Sequence, residues 1–398
     1  MVSRRDNAQY RPRNSPAVRG REDDDGGTRR GPSAPAQQRP PRASSPCRGH
    51  PAPGAPPASA DGCMPRVVTP LPPDQPAVLL ATDLARLGLP PDRARRSDLE
   101  RVGQGFHRQR ARPGTGWADL GLPEPGHGFS PDHLAALLRR RPDAVLSHET
   151  AAHLHGLPMP ARAWRRRDPA TGELEADPPV HLTVARGTRR VRRAGLMDHR
   201  RPLAPEFVTH VHGLRVTTVD RTWLDLCSLT PPWTFEDLVA AGDHAVRHPW
   251  TPAGRTDPAT TITALRSALH ASGRFHGRPA AREALDSVRV GADSPPETRL
   301  RLALVAGGLP EPELQAALEP GDPFSPVADL AYRHVRLALQ YDGAGHRTRE
   351  QQARDARRDR YGQARGWTTL RVTWADGRED FRGVVAVVRR RLGHSAST

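Results

Sequence analysis

The stretch that most constrains the fold of this chain lies near its C-terminus, between Val327 and His346. Two short apolar runs, Val327–Ala331 and Arg336–Asp342, flank a polar turn at Tyr332–Val335. Apolar runs of this length, separated by a few turn residues, are typical of a β-hairpin. The sequence therefore predicts two antiparallel strands here, around which the rest of the C-terminal region can be placed.

The polar side chains of this hairpin are expected to lie together. Side chains alternate between the two faces of a strand, so Gln340 and Asp342 share one face, and the turn folds Asp329 back beside them. Carboxylate and amide oxygens are the ligands that a hard divalent cation such as Mg²⁺ or Mn²⁺ prefers. His346 follows in a glycine-containing loop that can return to the same point. The hairpin therefore predicts a cation site with a histidine at its edge.

The segments around the hairpin predict an α-β-β-β-α-β-α order. Ser294 is followed by two prolines and Glu297, which is typical of a helix start with Ser as N-cap. The apolar residues assigned to the buried side of this helix are Leu300, Leu302, Leu304 and Val305. The other predicted elements are a strand at Glu313–Leu318, a helix at Glu350–Gln363, a strand at Trp367–Thr373 and a helix at Asp380–Leu392.

Short motifs between Ser294 and Leu392 carry a family resemblance. They are Pro296-Glu297-Thr298-Arg299, Ala328-Asp329-Leu330, Gln340-Tyr341-Asp342-Gly343, His346-Arg347, Asp355-x-x-Arg358, and Gly366-Trp367 with Leu370-Arg371-Val372-Thr373. Together they resemble the DUF559 family, which is close to the very-short-patch-repair endonucleases within the restriction-endonuclease-like (PD-(D/E)XK) superfamily. The resemblance covers about a quarter of the chain.

The resemblance implies a metal-dependent endonuclease that hydrolyses phosphodiester bonds of DNA. It places Mg²⁺ or Mn²⁺ on Asp329, Asp342 and Gln340, where the ion would polarise the phosphate and lower the pKa of a bound water. His346 would exchange a proton with that water or with the leaving oxygen. The arginines expected to hold the phosphate backbone are Arg347, Arg354, Arg357 and Arg358.

Two departures from the family pattern and one ambiguity concern this site. Gln340 stands where the family has Glu, and a neutral amide is a poorer metal ligand than a carboxylate. The chain contains no lysine, so the superfamily's Lys is missing, as it is in the repair-type relatives that use histidine. Glu297 either lies beside the metal, as the family pattern implies, or closes a capping box with Ser294. Both interpretations of Glu297 are open at this stage.

The overall charge favours a polyanionic partner. The 398 residues include 60 Lys and Arg against 44 Asp and Glu, which gives a net charge of +16 and a pI of about 11.2. All 60 are arginine, which the codon preference of a GC-rich genome would also produce, and DNA is the expected partner. Cys47, Cys63 and Cys227 show no metal-ligand spacing, which fits a reducing cytoplasm. No apolar run is long enough to cross a membrane.

The first 112 residues divide near residue 75. Residues 1–75 are rich in Pro, Gly, Ser and Arg, and they are predicted to be disordered because they hold few large apolar residues. Residues 76–112 predict two helices, Val78–Gly88 and Arg93–Val102, and they resemble the winged-helix segment of AbiEi-type antitoxins. Arg93 and Arg96 would then contact DNA phosphates. The alternative is a charged, solvated face on an ordinary helical hairpin.

Residues 113–290 carry further motifs of the same antitoxin-like proteins. The motifs are Ala144–Pro158, Thr217–Leu226 and Ala241-Gly242-Asp243. Strands are predicted at Val180–Val184, Phe207–Val211 and Leu214–Thr217, and helices at Thr260–His270 and Pro279–Val288. This pattern predicts an α/β region with a helical connector to the last domain.

Three histidines in the first of these motifs indicate either a metal site or helix packing. His148 and His155 share a helix face and His153 lies off it, and no set of cysteines or carboxylates completes a zinc site. We therefore expect packing or surface roles for all three. Arg221 and Asp225, four residues apart, are expected to brace a helix.

These observations predict a mixed α/β (α+β) chain of four parts. They are a disordered tail at 1–75, a winged-helix-like segment at 76–112, an AbiEi-like α/β region at 113–290 and a restriction-endonuclease-like domain at 291–398. The expected function is a cytoplasmic, metal-dependent DNA endonuclease or nickase. The alternative is a non-catalytic DNA-binding protein of antitoxin or regulator type. A toxin–antitoxin-type partner and a homo-oligomer are both open.

Overall fold

The computed structural model describes residues 70–160, 178–188, 195–343 and 349–395, without the side chains of residues 349–354 and 394–395. Every described residue belongs to one compact unit that begins at Val67. The described residues form a mixed α/β structure with eleven α-helices and four sheets. Residues 1–69 of the predicted tail lie outside the description, and Leu71 packs against the apolar cluster of Leu79, Leu84 and Leu99.

A three-stranded antiparallel sheet opens the described chain. Its strands lie in the order β1-β3-β2, and they are β1 (Val78–Leu80), β2 (Leu99–Gly103) and β3 (Phe106–Gln109). Helix α1 (Ala81–Arg86) and a 3₁₀ turn (Pro91–Arg95) connect the first two strands. The helix predicted over Arg93–Val102 is therefore wrong. Arg93 donates to both carboxylate oxygens of Asp98 at 2.7 and 2.6 Å, and Glu100 pairs across the β2–β3 hairpin with Arg108 at 2.6 Å.

A five-stranded mixed sheet forms the centre of the next region. Its elements follow as α2 (Pro131–Arg140), β4 (Val145–Leu146), α3 (His148–Leu154), β5 (Val180–Val184), β6 (Leu196–Arg200), β7 (Val208–Val211) and β8 (Leu214–Thr217). The strand order is β6-β5-β4-β8-β7, in which the β5–β6 and β4–β8 pairs are parallel. All five residues of β5 are buried, which places His181 inside the protein.

Four helices form a layer with a single apolar cluster around Trp223 and Trp233. They are α4 (Val219–Cys227), α5 (Phe235–Val246), α6 (Ile262–Ala271) and α7 (Arg278–Ser287). A short ribbon of β9 (Trp250–Thr251) and β10 (Gly254–Arg255) connects α5 to α6. Gly242 of α5 packs closely against Val288, the residue after α7. A Cβ atom at position 242 would lie 2.5 Å from Val288 Cγ2, so only glycine fits there without a shift of its neighbour.

The C-terminal elements confirm the predicted α-β-β-β-α-β-α order, with one short helix added. They are α8 (Pro295–Ala306), β11 (Glu313–Ala317), β12 (Val327–Tyr332), β13 (Leu337–Asp342), α9 (Arg349–Gln363), β14 (Thr368–Thr373), α10 (Trp374–Arg378) and α11 (Arg382–Ser395). The strands lie in the order β11-β12-β13-β14. Strand β12 is antiparallel to both β11 and β13, and β14 is parallel to β13.

Helix α8 contributes to two apolar clusters. Leu300 and Leu304 are buried among residues of the C-terminal sheet and α11, whereas Leu302 packs against the α4–α7 cluster. Val305 lies one helical step beyond Leu304 and is 43 % exposed, so its assignment to the buried side was wrong. None of the helices in the described ranges combines the length and the apolar content that a membrane span requires.

Candidate functional site

The polar residues of the predicted hairpin meet where β12 and β13 separate. The two strands pair as far as Leu330 and Leu339, and beyond that point the Asp329 side chain replaces a backbone acceptor. Its Oδ2 accepts the backbone N–H of Tyr341 at 2.7 Å, and its Oδ1 accepts Nε2 of Gln340 at 2.7 Å. The predicted proximity of Asp329 and Gln340 is therefore present, and it is held by two hydrogen bonds.

Asp342 occupies the end of β13, level with Thr373 of the parallel strand β14. The alternating residues Leu337 and Leu339 are buried in the C-terminal apolar cluster, and Tyr341 packs against it. By strand alternation, Asp342 lies on the face of Gln340 and away from this cluster. The geometry thus keeps both polar side chains of β13 on one side of the sheet.

Glu297 holds the start of α8 and also lies in the electrostatic field of Asp329. Its Oε1 accepts the Ser294 hydroxyl at 2.7 Å, and its Oε2 accepts the backbone N–H of Asp293 at 2.9 Å. The Ser294 side chain makes no capping bond in return, so the capping box is incomplete. Burial, and after it the charge of Asp329, raises the pKa of Glu297 to about 7. Glu297 therefore combines a capping role at the start of α8 with a position close enough to Asp329 for the two carboxyl groups to interact.

The pKa of Asp329 depends on its burial, on two amide donors and on one arginine. Burial raises the pKa of Asp329, while the Tyr341 amide, the Arg358 guanidinium and the Gln340 amide oppose this rise. Arg358 of α9 is half-buried, whereas Arg357 beside it is exposed. The two arginines therefore have different surroundings, although they are adjacent in sequence.

Three of the predicted site residues cannot be placed. His346 and Arg347 lie outside the described residues, and so does the side chain of Arg354. The described donors, carboxylate oxygens of Asp329 and Glu297 together with Asp342 and the Gln340 amide, are of the kind that suits a hard cation. Gln340 directs its nitrogen at Asp329, so its amide would have to rotate to present oxygen to a cation held there.

The predicted phosphate contacts near the N-terminus differ in exposure. Arg93 is 3 % exposed and its guanidinium is bound to Asp98, so it is not available to a phosphate and that assignment was wrong. Arg96 is partly exposed and pairs with Asp92 at 3.0 Å. The segment 91–95 is a short turn that positions these side chains, and not a helix that could enter a groove.

Sequence reasoning missed a cluster of three histidines. The ligand nitrogens of His148, His181 and His199 all lie within 4.8 Å of one another, on α3, β5 and β6. The rings of His148 and His199 stack with centroids 3.5 Å apart and planes at 16°, and His181 Nδ1 lies 2.9 Å from His199 Nε2. A histidine inside the predicted strand 180–184, whose other residues are mostly apolar, was the available signal for His181.

The surroundings of this cluster favour the neutral form of His148 and of His199. Burial, followed by the charge of His181, lowers the pKa of His199 to about 3, and burial lowers that of His148 far below its ordinary value. Nearly parallel, stacked rings do not direct their lone pairs at one point. The His148 and His199 rings would have to turn for the three nitrogens to bind one transition-metal ion.

The other histidines and the Asp225 carboxylate have packing roles. The His153 ring meets the edge of Trp117 at 4.8 Å, and His155 Nε2 donates to the backbone oxygen of Thr217 at 2.7 Å. Asp225 Oδ1 accepts Arg221 Nε at 2.9 Å within α4, as the bracing interpretation predicted. It also accepts Arg201 Nη1 at 3.1 Å, which the sequence did not indicate.

Among the described residues, the histidine cluster is the one set of three His, Cys, Asp or Glu side chains close enough to share an ion. The carboxylate site therefore depends on Gln340 and on the region around it for further ligands. Comparison of the chain with models of known protein families and with curated proteins found no match.

Proposed function

We propose that this chain is a cytoplasmic, Mg²⁺- or Mn²⁺-dependent endonuclease that hydrolyses phosphodiester bonds of DNA. The observation that carries the proposal is the position of Asp329 beyond the last paired residues of β12 and β13. There its carboxylate accepts hydrogen bonds from Gln340 and from the Tyr341 backbone, and its charge raises the pKa of Glu297. Burying acidic groups near one another is unfavourable unless a cation is nearby or a proton is bound. A site that binds a divalent cation explains why these side chains are collected here.

The architecture around the site supports a restriction-endonuclease-like domain. A mixed four-stranded sheet places β12 and β13 centrally, α8 brings Glu297 to the site, and α9 brings Arg358. Residues of two helices and of the end of the β12–β13 strand pair would therefore surround the substrate and the ion.

The residues at the site have distinct proposed roles. Asp329, Asp342 and the Gln340 oxygen would hold the ion, which supplies Lewis acidity towards the scissile phosphate and a bound water. Glu297, with a pKa of about 7, would hold or release a proton near neutral pH. Arg358 would stabilise negative charge next to Asp329, and His346 is the proposed group for proton transfer.

Two exposed groups are suited to contact DNA near this site. Trp374 is 56 % exposed and directly follows Thr373, which is level with Asp342 in the β13–β14 register. Arg378 lies over the Trp374 ring at 5.1 Å, so an aromatic surface and a positive charge occur together. Aromatic rings stack with bases, and exposed arginines such as Arg357 contact phosphates.

A second candidate function rests on Gln340. Its Nε2 donates a hydrogen bond to Asp329 Oδ1 at 2.7 Å. An ionised carboxylate at position 340 could not donate this hydrogen bond. This bond favours a non-catalytic DNA-binding protein of antitoxin or regulator type, in which the site is a remnant held by hydrogen bonds. The two functions predict different results with the same substrate.

Nicking of supercoiled plasmid DNA separates these functions. For an endonuclease, the full chain nicks plasmid with Mg²⁺ or Mn²⁺ and not with EDTA, and Asp342→Asn reduces the rate by at least about a hundredfold. Asp257→Asn, at an exposed carboxylate outside the site, leaves the rate unchanged. DNA binding without nicking under any of these conditions would instead favour the non-catalytic function.

A further inference from the structure

A cavity of about 390 Å³ lies where the end of β6 meets α4 and the turn after α6. This volume is within the range of small-molecule sites, about 300–1,000 Å³. The described residues that line it include four arginines and none that is acidic: Arg186, Arg201, Arg221 and Arg274. Such a lining favours an anionic ligand.

The two inner arginines share one carboxylate. Arg201 Nη1 and Arg221 Nε both donate to Asp225 Oδ1, at 3.1 and 2.9 Å, and Asp225 is fully buried. One negative charge therefore faces two guanidinium groups, of which that of Arg221 is almost fully buried. A buried charge without a partner is unfavourable, so the cavity has an electrostatic reason to take up an anion.

Unused donors also face this cavity. The Nη atoms of Arg221 make no hydrogen bond with the described residues, although the guanidinium lies 5.7 Å over the Phe207 ring. Ser272, another lining residue, has a buried hydroxyl without a hydrogen-bond partner among the described residues. Guanidinium and hydroxyl groups are the donors that recognise the oxygens of a phosphate monoester.

Apart from His276, the rest of the lining is apolar, and a phosphate ion would leave most of the volume unfilled. This apolar part includes Phe207, Leu224 and Phe275. Flat aromatic side chains offer stacking surfaces for a nucleobase. A ligand that uses both the guanidinium groups and the aromatic side chains carries a phosphate and a planar ring.

We propose that this cavity binds the phosphate monoester and the base of a nucleotide, either free or at the 5′ end of an oligonucleotide. Arg201 and Arg221 would hold the phosphate from inside, Arg186 and Arg274 from the rim, and the aromatic side chains would contact the base. The inference does not rest on the proposed endonuclease activity, because it uses none of the residues of the carboxylate site.

Calorimetric titration of the full chain tests the proposal with four probes. They are AMP, adenosine, inorganic phosphate and a 5′-phosphorylated trinucleotide. We expect AMP or the trinucleotide to bind at least about tenfold more tightly than adenosine or phosphate, since only they carry both a phosphate and a base. The tighter of the two identifies a free or a terminal nucleotide. Equal affinity for AMP and inorganic phosphate would overturn the proposal.

Rim variants avoid disturbing the buried Asp225 network. Arg274→Gln and Arg186→Gln, at exposed arginines, should each weaken nucleotide binding about tenfold. Arg266→Gln removes the same charge from an exposed position of α6 outside the cavity and should have no effect. An equal loss in Arg266→Gln would show non-specific attraction and contradict the site. Asp329→Asn should leave nucleotide binding unchanged, which separates this result from that of the nuclease assay.

Discussion

At the scale of single residues, Glu297 connects local structure to the proposed chemistry. The same carboxylate accepts two hydrogen bonds at the start of α8 and has a pKa of about 7, raised by burial and by Asp329. A cation at Asp329 would favour the ionised form of Glu297, and its absence favours the protonated form. The ionisation of Glu297 therefore depends on whether a cation is bound at Asp329.

Glu297→Gln should change how stability depends on pH. The pKa of Glu297 is raised from 4.5 to about 7 on folding, so its contribution is fully present below pH 4.5 and is lost as pH rises through about 7. At about 1.4 kcal/mol for each pKa unit, the wild type should lose about 2–3 kcal/mol more than Glu297→Gln between pH 5 and 8. Urea unfolding of both proteins without divalent ions measures the difference. Parallel pH profiles would contradict the assignment.

At the scale of secondary-structure elements, a buried ion pair joins α5 to α8. Asp243 accepts Arg301 Nη2 at 2.8 Å and the Thr298 hydroxyl at 2.9 Å, while Arg301 also donates to Glu311 at 2.8 Å. Asp243 and Arg301 are both about 1 % exposed. The helix that carries Glu297 is thereby fixed to the preceding helical layer across the predicted boundary at residue 290.

Asp243→Ala should therefore destabilise the protein strongly. It leaves the Arg301 charge buried without its main partner, and breaking a buried pair from one side costs about 3–5 kcal/mol. Denaturant unfolding monitored by tryptophan fluorescence gives the value. Arg299→Ala removes the partner of Asp237, but Arg299 is 45 % exposed, so the expected loss there is at most about 1 kcal/mol. Equal losses in the two variants would contradict this account.

Substitutions of two adjacent arginines of α9 should have different effects, one on DNA binding and the other on the cation site. Arg357 is exposed and is proposed to contact phosphate, so Arg357→Gln should weaken binding to all DNA sequences and reduce the salt slope by about one. Arg358 acts on Asp329, so Arg358→Gln should alter the metal dependence. Fluorescence anisotropy at several salt concentrations measures both, with Arg282→Gln of α7 as the exposed control. An unchanged slope for Arg357→Gln would place DNA elsewhere.

At the scale of the whole molecule, buried histidines set the response to acid. Burial lowers the pKa of these histidines, to about 3 for His127 and His199, to about 4 for His153 and His244, and far below its ordinary value for His148. The unfolded chain binds these protons near pH 6.5, so their stability contribution is present above pH 6.5 and lost as pH falls towards 4.

Chemical unfolding between pH 6.5 and 5 tests this dependence. Five protons correspond to about 7 kcal/mol for each pH unit near pH 5, and Glu297 opposes them with about one proton, which leaves about 5 kcal/mol. Exposed carboxylates titrate little above pH 5, so the slope in this window comes from the histidines and from the buried carboxyl groups whose pKa is raised, Glu297 among them. A flat profile would show that the histidines are not buried in neutral form.

The C-terminal region could be predicted from sequence because its patterns are local. Two-residue alternation in 337–342 fixed which side chains face the core, and Ser294 with two prolines located the start of α8. The Arg93–Val102 helix failed because a side-chain pair and a hairpin partner override local propensity. His148 and His199 lie 51 residues apart in sequence, so no local pattern could show that their rings stack.

The proposed endonuclease requires that the side chains at the separation of β12 and β13 form one divalent-cation site. Calorimetric titration of Mn²⁺ into the full chain without DNA tests it most directly, with Asp257→Asn as control. We predict one ion per site, weakened at least about tenfold by Asp329→Asn and tightened by Gln340→Glu, which adds a charged ligand. Identical Mn²⁺ affinity of the wild type, Asp329→Asn and Gln340→Glu would contradict the claim.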